Sequence, residues 1–270
     1  ESKNLAWKVE VPGRGYGSPI VSRGHVYIAT AVAVGHEGDA VPDDAPGAHD
    51  NARVTRRHRF ELLAFKAATG ELAWRRVLHE QKPHEAFHKM SALVAASPCT
   101  DGERIYAFFG SYGLYCVGRD SKLLWKRDLW SCRGMSNNVV ASPVAGGGIV
   151  YAGSSYVRKR MMAIRLEGAR GDLTPSEHVL WRRGARTPYV PSPLLVDGWL
   201  YFLTHFQGFL SRVHGASGRE AVRPLRLPEI YEIYASPVAA NGHVYVTGRA
   251  GATVVLRHAP GPKGEARMRI

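Results

Sequence analysis

Five copies of one short pattern run through this chain of 270 residues: a Ser-Pro pair, then a Tyr eight positions after the Pro. A turn pair ending in Gly lies between the Pro and the Tyr of every copy. Gly supplies the positive φ that a tight hairpin needs, so each copy predicts strand, turn and strand. Successive Pro residues stand 79, 45, 50 and 44 positions apart, and a repeat near 45 residues made of short strands is typical of a β-propeller blade. The copies are Ser18-Pro19 to Tyr27, Ser97-Pro98 to Tyr106, Ser142-Pro143 to Tyr151, Ser192-Pro193 to Tyr201, and Ser236-Pro237 to Tyr245.

The rest of each copy predicts a second hairpin. Its first strand is apolar, as in residues 61–70, and its last strand carries a Trp followed by a basic residue at Trp7, Trp74, Trp125 and Trp181. Each blade should therefore have four antiparallel strands, A to D, with the Ser-Pro pair opening A and the Trp in D. Pro is tolerated at the start of a strand because no ladder bond is lost there. We expect the Trp side chains to pack between neighbouring blades. The fold class predicted is an all-β propeller with about five blades.

We expect one propeller domain over residues 1–270, with blades near 16–77, 94–128, 139–183, 190–225 and 234–270. Residues 1–11 should form the D strand of a further or closing blade. Trp125 and Trp130 are only five positions apart, whereas a complete blade between two D strands needs about forty residues. This spacing favours missing blades over a long D-to-A loop, and it predicts an irregular chain at Leu129-Trp130.

The formal net charge of +13 favours acidic partners. The basic residues are scattered over D strands and turns, where Lys and Arg also protect exposed sheet edges, so a solvated rim is the favoured interpretation and polyanion binding stays open. Nucleic acid is disfavoured because aromatic residues do not alternate with the basic ones. No apolar run is long enough to span a membrane as a helix. The densest basic spots are Arg53, Arg56, Arg57 and Arg59; Arg158, Lys159 and Arg160; and Arg182, Arg183 and Arg186.

Three Cys residues, Cys99, Cys116 and Cys132, contain no adjacent pair and no CxxC motif, so neither a disulfide framework nor a zinc site is indicated. His79, His84 and His88 lie close together beside two Glu residues, which could bind zinc. Their spacing fits neither an HExxH motif nor one strand face, and this favours a solvated loop. The sequence contains no recognisable nucleophile–base–acid set, P-loop or dinucleotide motif.

The segments just before each Ser-Pro pair should carry any binding site. In a propeller the D-to-A and B-to-C loops emerge on one face, and the A strands line the central channel. Polar and aromatic residues of these segments would then ring the channel mouth and suit a polar ligand or an extended peptide. The alternative is that they cap strands and satisfy loop backbone. Residues 35–58 form the longest B-to-C insertion, for which we expect partial disorder, a lid being the alternative. The candidate ligand-binding residues are Tyr16, His88, Asn137, Asn138, Tyr189 and Tyr234.

The Ser-Pro strand, the hairpin, the segment AATGELAW and the D-strand Trp resemble the PQQ-like β-propeller repeat family over nearly the whole chain. The segments RGMSNNVVASPV and YASPVAANGHVYV look especially like exported bacterial PQQ-like repeat proteins, which are similar to the propeller lipoprotein of the outer-membrane β-barrel assembly machinery. Family members usually close seven or eight blades, so the resemblance implies an incomplete ring here.

The resemblance implies a non-catalytic binding or assembly scaffold of the cell envelope or exterior, with a protein, peptide or glycan as partner. It implies a periplasmic or secreted location. The alternative is a quinone- or metal-dependent oxidoreductase fragment, since pyrroloquinoline quinone and calcium are cofactors of related dehydrogenases. Those enzymes hold the quinone against an adjacent-Cys disulfide, and this chain has no such pair. We therefore expect neither cofactor and no catalytic residue.

Overall fold

The computed structural model of this chain describes residues 3–43, 50–129, 139–154, 159–204, 208–221, 223–228 and 230–258. Regular structure in these ranges is β-strand, except for one 3₁₀ turn at Gly110–Tyr112. The chain divides into two compact units. The first unit holds blades 1 and 2 together with residues 170–174, and the second unit holds blades 3 to 5. The prediction of an all-β propeller chain with almost no helix is confirmed.

The first unit contains two blade sheets and a two-stranded ribbon. Blade 1 has the order β1-β2-β4-β5, with β1 Ile20–Ser22, β2 His25–Val34, β4 Arg57–Lys66 and β5 Leu72–Gln81. The ribbon pairs β3 Asn51–Ala52 with β6 Phe87–His88. Blade 2 has the order β7-β8-β9-β10-β14, with β7 Cys99–Thr100, β8 Arg104–Phe108, β9 Leu114–Gly118, β10 Leu123–Arg127 and β14 Gly171–Asp172.

The second unit contains three sheets, each with its strands in chain order. Blade 3 consists of β11 Val144–Gly146, β12 Ile149–Ser154, β13 Arg160–Arg165 and β15 Val179–Arg183. Blade 4 consists of β16 Leu194–Val196, β17 Trp199–Leu203, β18 Phe209–His214 and β19 Leu225–Arg226. Blade 5, within the described residues, consists of β20 Val238–Ala240, β21 His243–Thr247 and β22 Thr253–Arg257.

The A–B hairpins follow the sequence pattern in all five blades. The residue directly after the Pro opposes the Tyr of the neighbouring strand, as Ile20 opposes Tyr27 and Val238 opposes Tyr245. Four of the five turns have positive φ at both central residues, for example 49° and 72° at Asn241 and Gly242. Such turns match the twist of the flanking strands. The predicted hairpins are therefore confirmed, with strand A beginning one residue after the Pro.

The same Tyr packs on the D-strand Trp of its own blade. In blade 1 the Tyr27 and Trp74 ring centroids are 5.9 Å apart, and the residue between them across the sheet is the small Ala64. Because the intervening side chain is small, two large rings can meet over it. Blades 2 and 3 repeat the contact, at 5.9 Å for Tyr106 with Trp125 and at 6.1 Å for Tyr151 with Trp181.

The Trp indole also reaches the next blade. Trp74 donates its Nε1–H to the carbonyl of Arg119 at 3.0 Å, and Trp181 donates to Gly215 at 2.6 Å, both in the C–D turn of the following blade. The predicted packing between blades is confirmed for these two residues. Trp7 makes the same bond to Ala67 of blade 1 at 2.8 Å. Residues 1–11 were expected to form a D strand, but the described residues 3–11 contain no strand.

The Ser of the Ser-Pro pair joins neighbouring blades. The backbone N–H of Ser18 donates to the hydroxyl of Ser97 at 2.8 Å, which links blades 1 and 2. In the second unit the N–H of Ser142 donates to Ser192, and the N–H of Ser192 donates to Ser236, both at 2.9 Å. A residue in the repeat thus satisfies a backbone donor of the blade before it.

Blade 2 departs from the four-stranded antiparallel plan because β14 adds a fifth strand that runs parallel to β10. This short strand belongs to the C–D connection of blade 3, and the N–H of Leu173 donates to the carbonyl of Lys126 at 2.8 Å. The repeat pattern did not predict this strand. The irregularity predicted at Leu129-Trp130 involves residues 130–138, which lie outside the described residues.

Candidate functional site

Arg14 links Tyr16 to the segment that contains His88 in the first unit. The Arg14 guanidinium carbon lies 5.1 Å from the Tyr16 ring centre and 5.8 Å from that of Phe87. It donates to the Tyr16 hydroxyl and, at 3.3 Å, to the carbonyl of Lys89. The Tyr16 ring nevertheless remains 52% exposed, so it can contact a partner.

His88 has a local structural role. Its Nδ1 accepts the backbone N–H of Met90 at 3.1 Å, and its backbone pairs with Asn51 in the β3–β6 ribbon. This arrangement agrees with the alternative interpretation of the segments before the Ser-Pro pairs, in which their polar residues satisfy loop backbone groups.

The second unit contains the other two described candidates. Tyr189 is half-buried, and its N–H donates to Leu203 at 3.2 Å. Tyr234 is 47% exposed. Asn137 and Asn138 lie outside the described residues. The prediction that the six residues form one site stays a prediction.

The exposed aromatic residues all lie in one kind of segment of the repeat. Among the large hydrophobic side chains exposed in the described ranges, the aromatic ones are Tyr16, Tyr231 and Tyr234. All three lie in the segment just before a Ser-Pro pair. Tyr16 and Tyr234 each stand two residues before the Ser. The sequence pattern predicted Tyr16 and Tyr234 as binding residues but not Tyr231, which lies three residues before Tyr234 in the same segment IYEIYA.

The long insertion of blade 1 is folded at residues 35–43 and 50–58, where the structure describes it, and the partial disorder expected within residues 35–58 stays a prediction. The N–H of Val41 donates to Val54 at 2.9 Å, and both side chains are buried. The N–H of Ala86 donates to Pro42 at 2.9 Å. The insertion is thus fixed against the D-to-A segment of its own blade by β-pairing and apolar burial. Residues 44–49 lie outside the described part.

A cavity of 360 Å³ lies in the first unit between the end of β5, the D-to-A segment after it, and the 3₁₀ turn of blade 2. A chain of hydrogen bonds forms its polar wall. His79 Nε2 donates to the Gln81 amide oxygen at 2.8 Å, the Gln81 amide nitrogen donates to His84 Nδ1 at 3.1 Å, and His84 Nε2 donates to the Ser111 hydroxyl at 2.8 Å. The full lining is His79, Gln81, His84, Ser111, Tyr112, Tyr115, Lys126 and Asp128.

This chain of bonds requires a neutral His84, because this imidazole accepts at Nδ1 and donates at Nε2. Burial, followed by the proximity of His79, lowers the pKa of His84 to about 4, although Asp128 acts in the opposite direction. The His84 ring also packs on Tyr112, with ring centroids 4.5 Å apart. Burial, together with the charges of Asp128 and Asp172, raises the pKa of Tyr115, whose hydroxyl donates to the Tyr112 carbonyl at 2.9 Å.

The solvated-loop interpretation of the His cluster is therefore wrong for His79, which lies on β5, whereas His84 lies in the loop after β5 and is half-buried. The reason lies in strand length, because β5 runs to Gln81, four residues beyond the predicted end of blade 1 at residue 77. Its partner β4 is extended too, and the additional backbone pairs of the two strands place His79 and Gln81 next to blade 2. The residues His79, Glu80 and Gln81 are all polar, so the sequence did not indicate that the strand extends to them. No group of three or more His, Cys, Asp or Glu suited to a metal occurs among the described residues.

A second cavity, of 400 Å³, lies in blade 5. Tyr231, 63% exposed, lines it beside Glu232 and Arg249, whose carboxylate and guanidinium are 3.0 Å apart. Because this ion pair is exposed, it contributes little to stability and can exchange partners. The cavity therefore places an aromatic ring and two exchangeable charges next to one another.

Charge pairs reduce the basic character of the spots found in the sequence. Arg59 lies 2.8 Å from Glu80, while Arg183 and Arg186 share Glu220 at 2.5 and 2.7 Å. These arginines are therefore partly neutralised by carboxylates of the chain itself, which weakens the case for a polyanion surface.

An ion pair in blade 1 has a fully buried member. The Glu61 carboxylate is inaccessible to solvent and accepts two bonds from Arg75, at 2.5 and 2.8 Å. By contrast, Arg23 and Glu103 form a 2.7 Å pair that is exposed on both sides.

The described residues do not fit a quinone with calcium. Cys99 lies on β7 and Cys116 on β9, with β8 between them, and Cys132 is outside the described residues. Burial raises the pKa of both thiols, to about 12 for Cys116, so they stay protonated and unreactive. No catalytic step through these groups follows from this arrangement.

Comparison with known proteins agrees with this architecture. Residues 1–224 match the family described as outer membrane protein assembly factor BamB. The chain belongs to this family. Its members carry PQQ-like repeats, so the resemblance inferred from the Ser-Pro and Trp pattern is confirmed. No curated protein matches the chain.

Two solved structures illustrate the likeness. One is BamB from Moraxella catarrhalis, 16% identical, with a TM-score of 0.50, covering 93% of this chain and 73% of that chain. The other is the computationally designed Ika4 protein, 10% identical, with a TM-score of 0.46, covering 60% of this chain and 89% of that one. The BamB likeness supports the propeller fold. Within the described ranges no helix is long and apolar enough to cross a membrane.

Proposed function

We propose that this chain is a non-catalytic scaffold of the cell envelope, in the periplasm or outside the cell, that binds a partner protein. Family membership supports an assembly role, since the family is described by that role. The observation that carries the proposal is the shared placement of Tyr16, Tyr231 and Tyr234 in the segments before Ser-Pro pairs.

Tyr is enriched at protein interfaces because it offers a large rigid surface and a hydrogen-bonding end at small entropic cost. An exposed ring held by its neighbours suits this role best. Arg14 restrains Tyr16 through its bond to the hydroxyl and its stacking on the ring. Two of the three rings stand at the same offset from the Ser, so the repeat itself presents them in corresponding places.

Quantitative affinity purification from native envelope extract tests the proposal. The wild-type chain should retain a defined partner that the double variant Y16A/Y234A loses. The matched control is L72S/L180S, which changes two exposed apolar residues of D strands, β5 and β15. Equal retention by both double variants would show that the tyrosines are not the binding surface.

The quinone-dependent oxidoreductase, our alternative from the sequence, has no observation in its favour among the described residues. Glycan and polyanion partners likewise lack a feature that favours them over protein.

A further inference from the structure

One face of the blade 5 sheet is an exposed apolar surface. Val238 opposes Tyr245, and Tyr245 opposes Val255, so these three side chains share the face that we call the blade 5 face. Val238 is 58% exposed and Val255 is 36% exposed. The opposite face of the same sheet is buried against blade 4. Stacked repeats normally end in a polar face, so an apolar face here indicates an interaction surface.

Blade 4 shows what this face contacts elsewhere in the repeat. Leu194 and Tyr201 of blade 4 oppose each other as Val238 and Tyr245 do in blade 5. They pack into a hydrophobic cluster with blade 5. The other face of blade 4, which carries Leu195, packs against blade 3. A blade thus contacts the following blade with one face and the preceding blade with the other, and the blade 5 face is of the kind that contacts a following blade.

Blade 1 carries a complementary apolar residue. Val21 is the middle residue of β1 and corresponds to Leu195 of β16. Val21 is 70% exposed, whereas Leu195 lies over Gly146 of blade 3, with its Cδ2 2.8 Å from the position that a Cβ would take there. Blade 5 has Ala240 at the place of Gly146, as the third residue of its first strand. A Val and an Ala contain as many side-chain carbons as a Leu and a Gly, so Val21 and Ala240 can fill the same space.

The Ser residues of blades 1 and 5 are complementary as well. At three described junctions the N–H of one Ser-Pro pair donates to the Ser hydroxyl of the following blade. Within the described residues, the N–H of Ser236 has no acceptor and the hydroxyl of Ser18 has no donor, and both residues are exposed. Packing of the blade 5 face on Val21 brings this donor and this acceptor together in the arrangement of the other junctions.

We infer that blade 5 of one copy of this chain binds blade 1 of a second copy, in the way that consecutive blades bind each other. Val238, Tyr245 and Val255 form one side of this contact, and Val21 with the Ser18 hydroxyl belongs to the other. The two sides differ, so a dimer leaves one side of each kind open and further copies can add. The inference does not rest on the proposed function, because it uses none of the tyrosines proposed to bind the partner protein.

Sedimentation velocity of the purified chain over about a hundredfold range of concentration tests the inference. The average mass of the wild type should rise with concentration. V21K and V238K each place a charge in the apolar contact, so each should weaken self-association by at least about tenfold. L180K is the control, because Leu180 is an exposed apolar residue on a strand of blade 3, and this variant should associate as the wild type does.

A mixture of the two variants tests whether the contact is head-to-tail. V21K keeps an intact blade 5 face, and V238K keeps an intact blade 1, so an equal mixture should form dimers but nothing larger. Circular dichroism melting checks that each variant folds, and we expect unchanged melting temperatures because both substituted side chains are exposed in a single copy. A wild type that stays monomeric at every concentration, full association of either variant alone, equal weakening by L180K, or a mixture that stays monomeric would overturn the inference.

Discussion

Acidification should destabilise the first unit through His84. The pKa of this imidazole falls from an ordinary value near 6.5 to about 4 in the folded chain, so the unfolded chain binds the proton first as the pH falls. The stabilising effect of the neutral ring is thus complete above pH 6.5 and is lost progressively between pH 6.5 and about 4. The gap corresponds to about 3 kcal/mol at about 1.4 kcal/mol per pH unit. Because the ring is only half-buried and water screens it, we expect about 1–2 kcal/mol.

The assay is urea unfolding followed by tryptophan fluorescence at several pH values between 7.5 and 4.5, on the wild type and on H84Q. Glutamine does not titrate in this pH range. Subtracting the stability curve of H84Q from that of the wild type therefore removes the contributions of the carboxylates and of His58, whose pKa is also lowered by burial. The stability advantage of the wild type over H84Q should shrink by about 1–2 kcal/mol as the pH falls through this range. Parallel curves would refute the assignment of a neutral, hydrogen-bonded His84 to the cavity wall.

Three further substitutions test the contacts between and within blades. S192A should lower the free energy of unfolding by about 1 kcal/mol, since it removes the acceptor of a neighbouring blade's N–H, and an unchanged urea midpoint would exclude that role. G218A should lower the free energy of unfolding by about 1–3 kcal/mol, because its Cβ would lie 2.7 Å from the indole of Trp181. G242A has a similar positive φ and open space around its Cβ, so it isolates the backbone cost. Equal losses of stability in the two variants would contradict the crowding. In thermal unfolding, E61Q should lower the free energy of unfolding by about 3 kcal/mol, because it removes a buried charge that Arg75 pairs with. E103Q, in an exposed ion pair, should lower it by less than about 1 kcal/mol. Similar losses in the two variants would show that burial of the Glu61 carboxylate does not affect stability.

The sequence predicted those parts of the fold that depend on contacts within one repeat. The Gly-bearing turns and the Tyr eight residues after the Pro specify the A–B hairpin, and the observed pairing of Ile20 with Tyr27 follows from them. The D-strand Trp was also placed correctly at Trp74, Trp125 and Trp181, but not at Trp7. The second role of the Trp, as a donor to the next blade, depends on the three-dimensional repeat and is visible only in the structure.

The cavity could not be predicted, because it depends on two strands that extend beyond the repeat. Polar residues at 79–81 resemble a loop, and only their pairing with β4 carries them over blade 2. The β14 strand was missed for a similar reason, since Gly171 and Asp172 have neither apolar nor β-branched character. For the binding surface, the sequence identified Tyr16 and Tyr234 from their position before the Ser. Their exposure had to come from the structure.

Site-specific photocrosslinking in the native envelope tests the scaffold role most directly. A photoreactive phenylalanine analogue is placed at Tyr16, at Tyr234 and, as a control, at Leu180 on the outer strand of blade 3. We expect one protein adduct of the same identity from both tyrosine positions and none from the control position. Absence of adducts at Tyr16 and Tyr234, or the same adducts at Leu180, would contradict a protein-binding surface built from the segments before the Ser-Pro pairs.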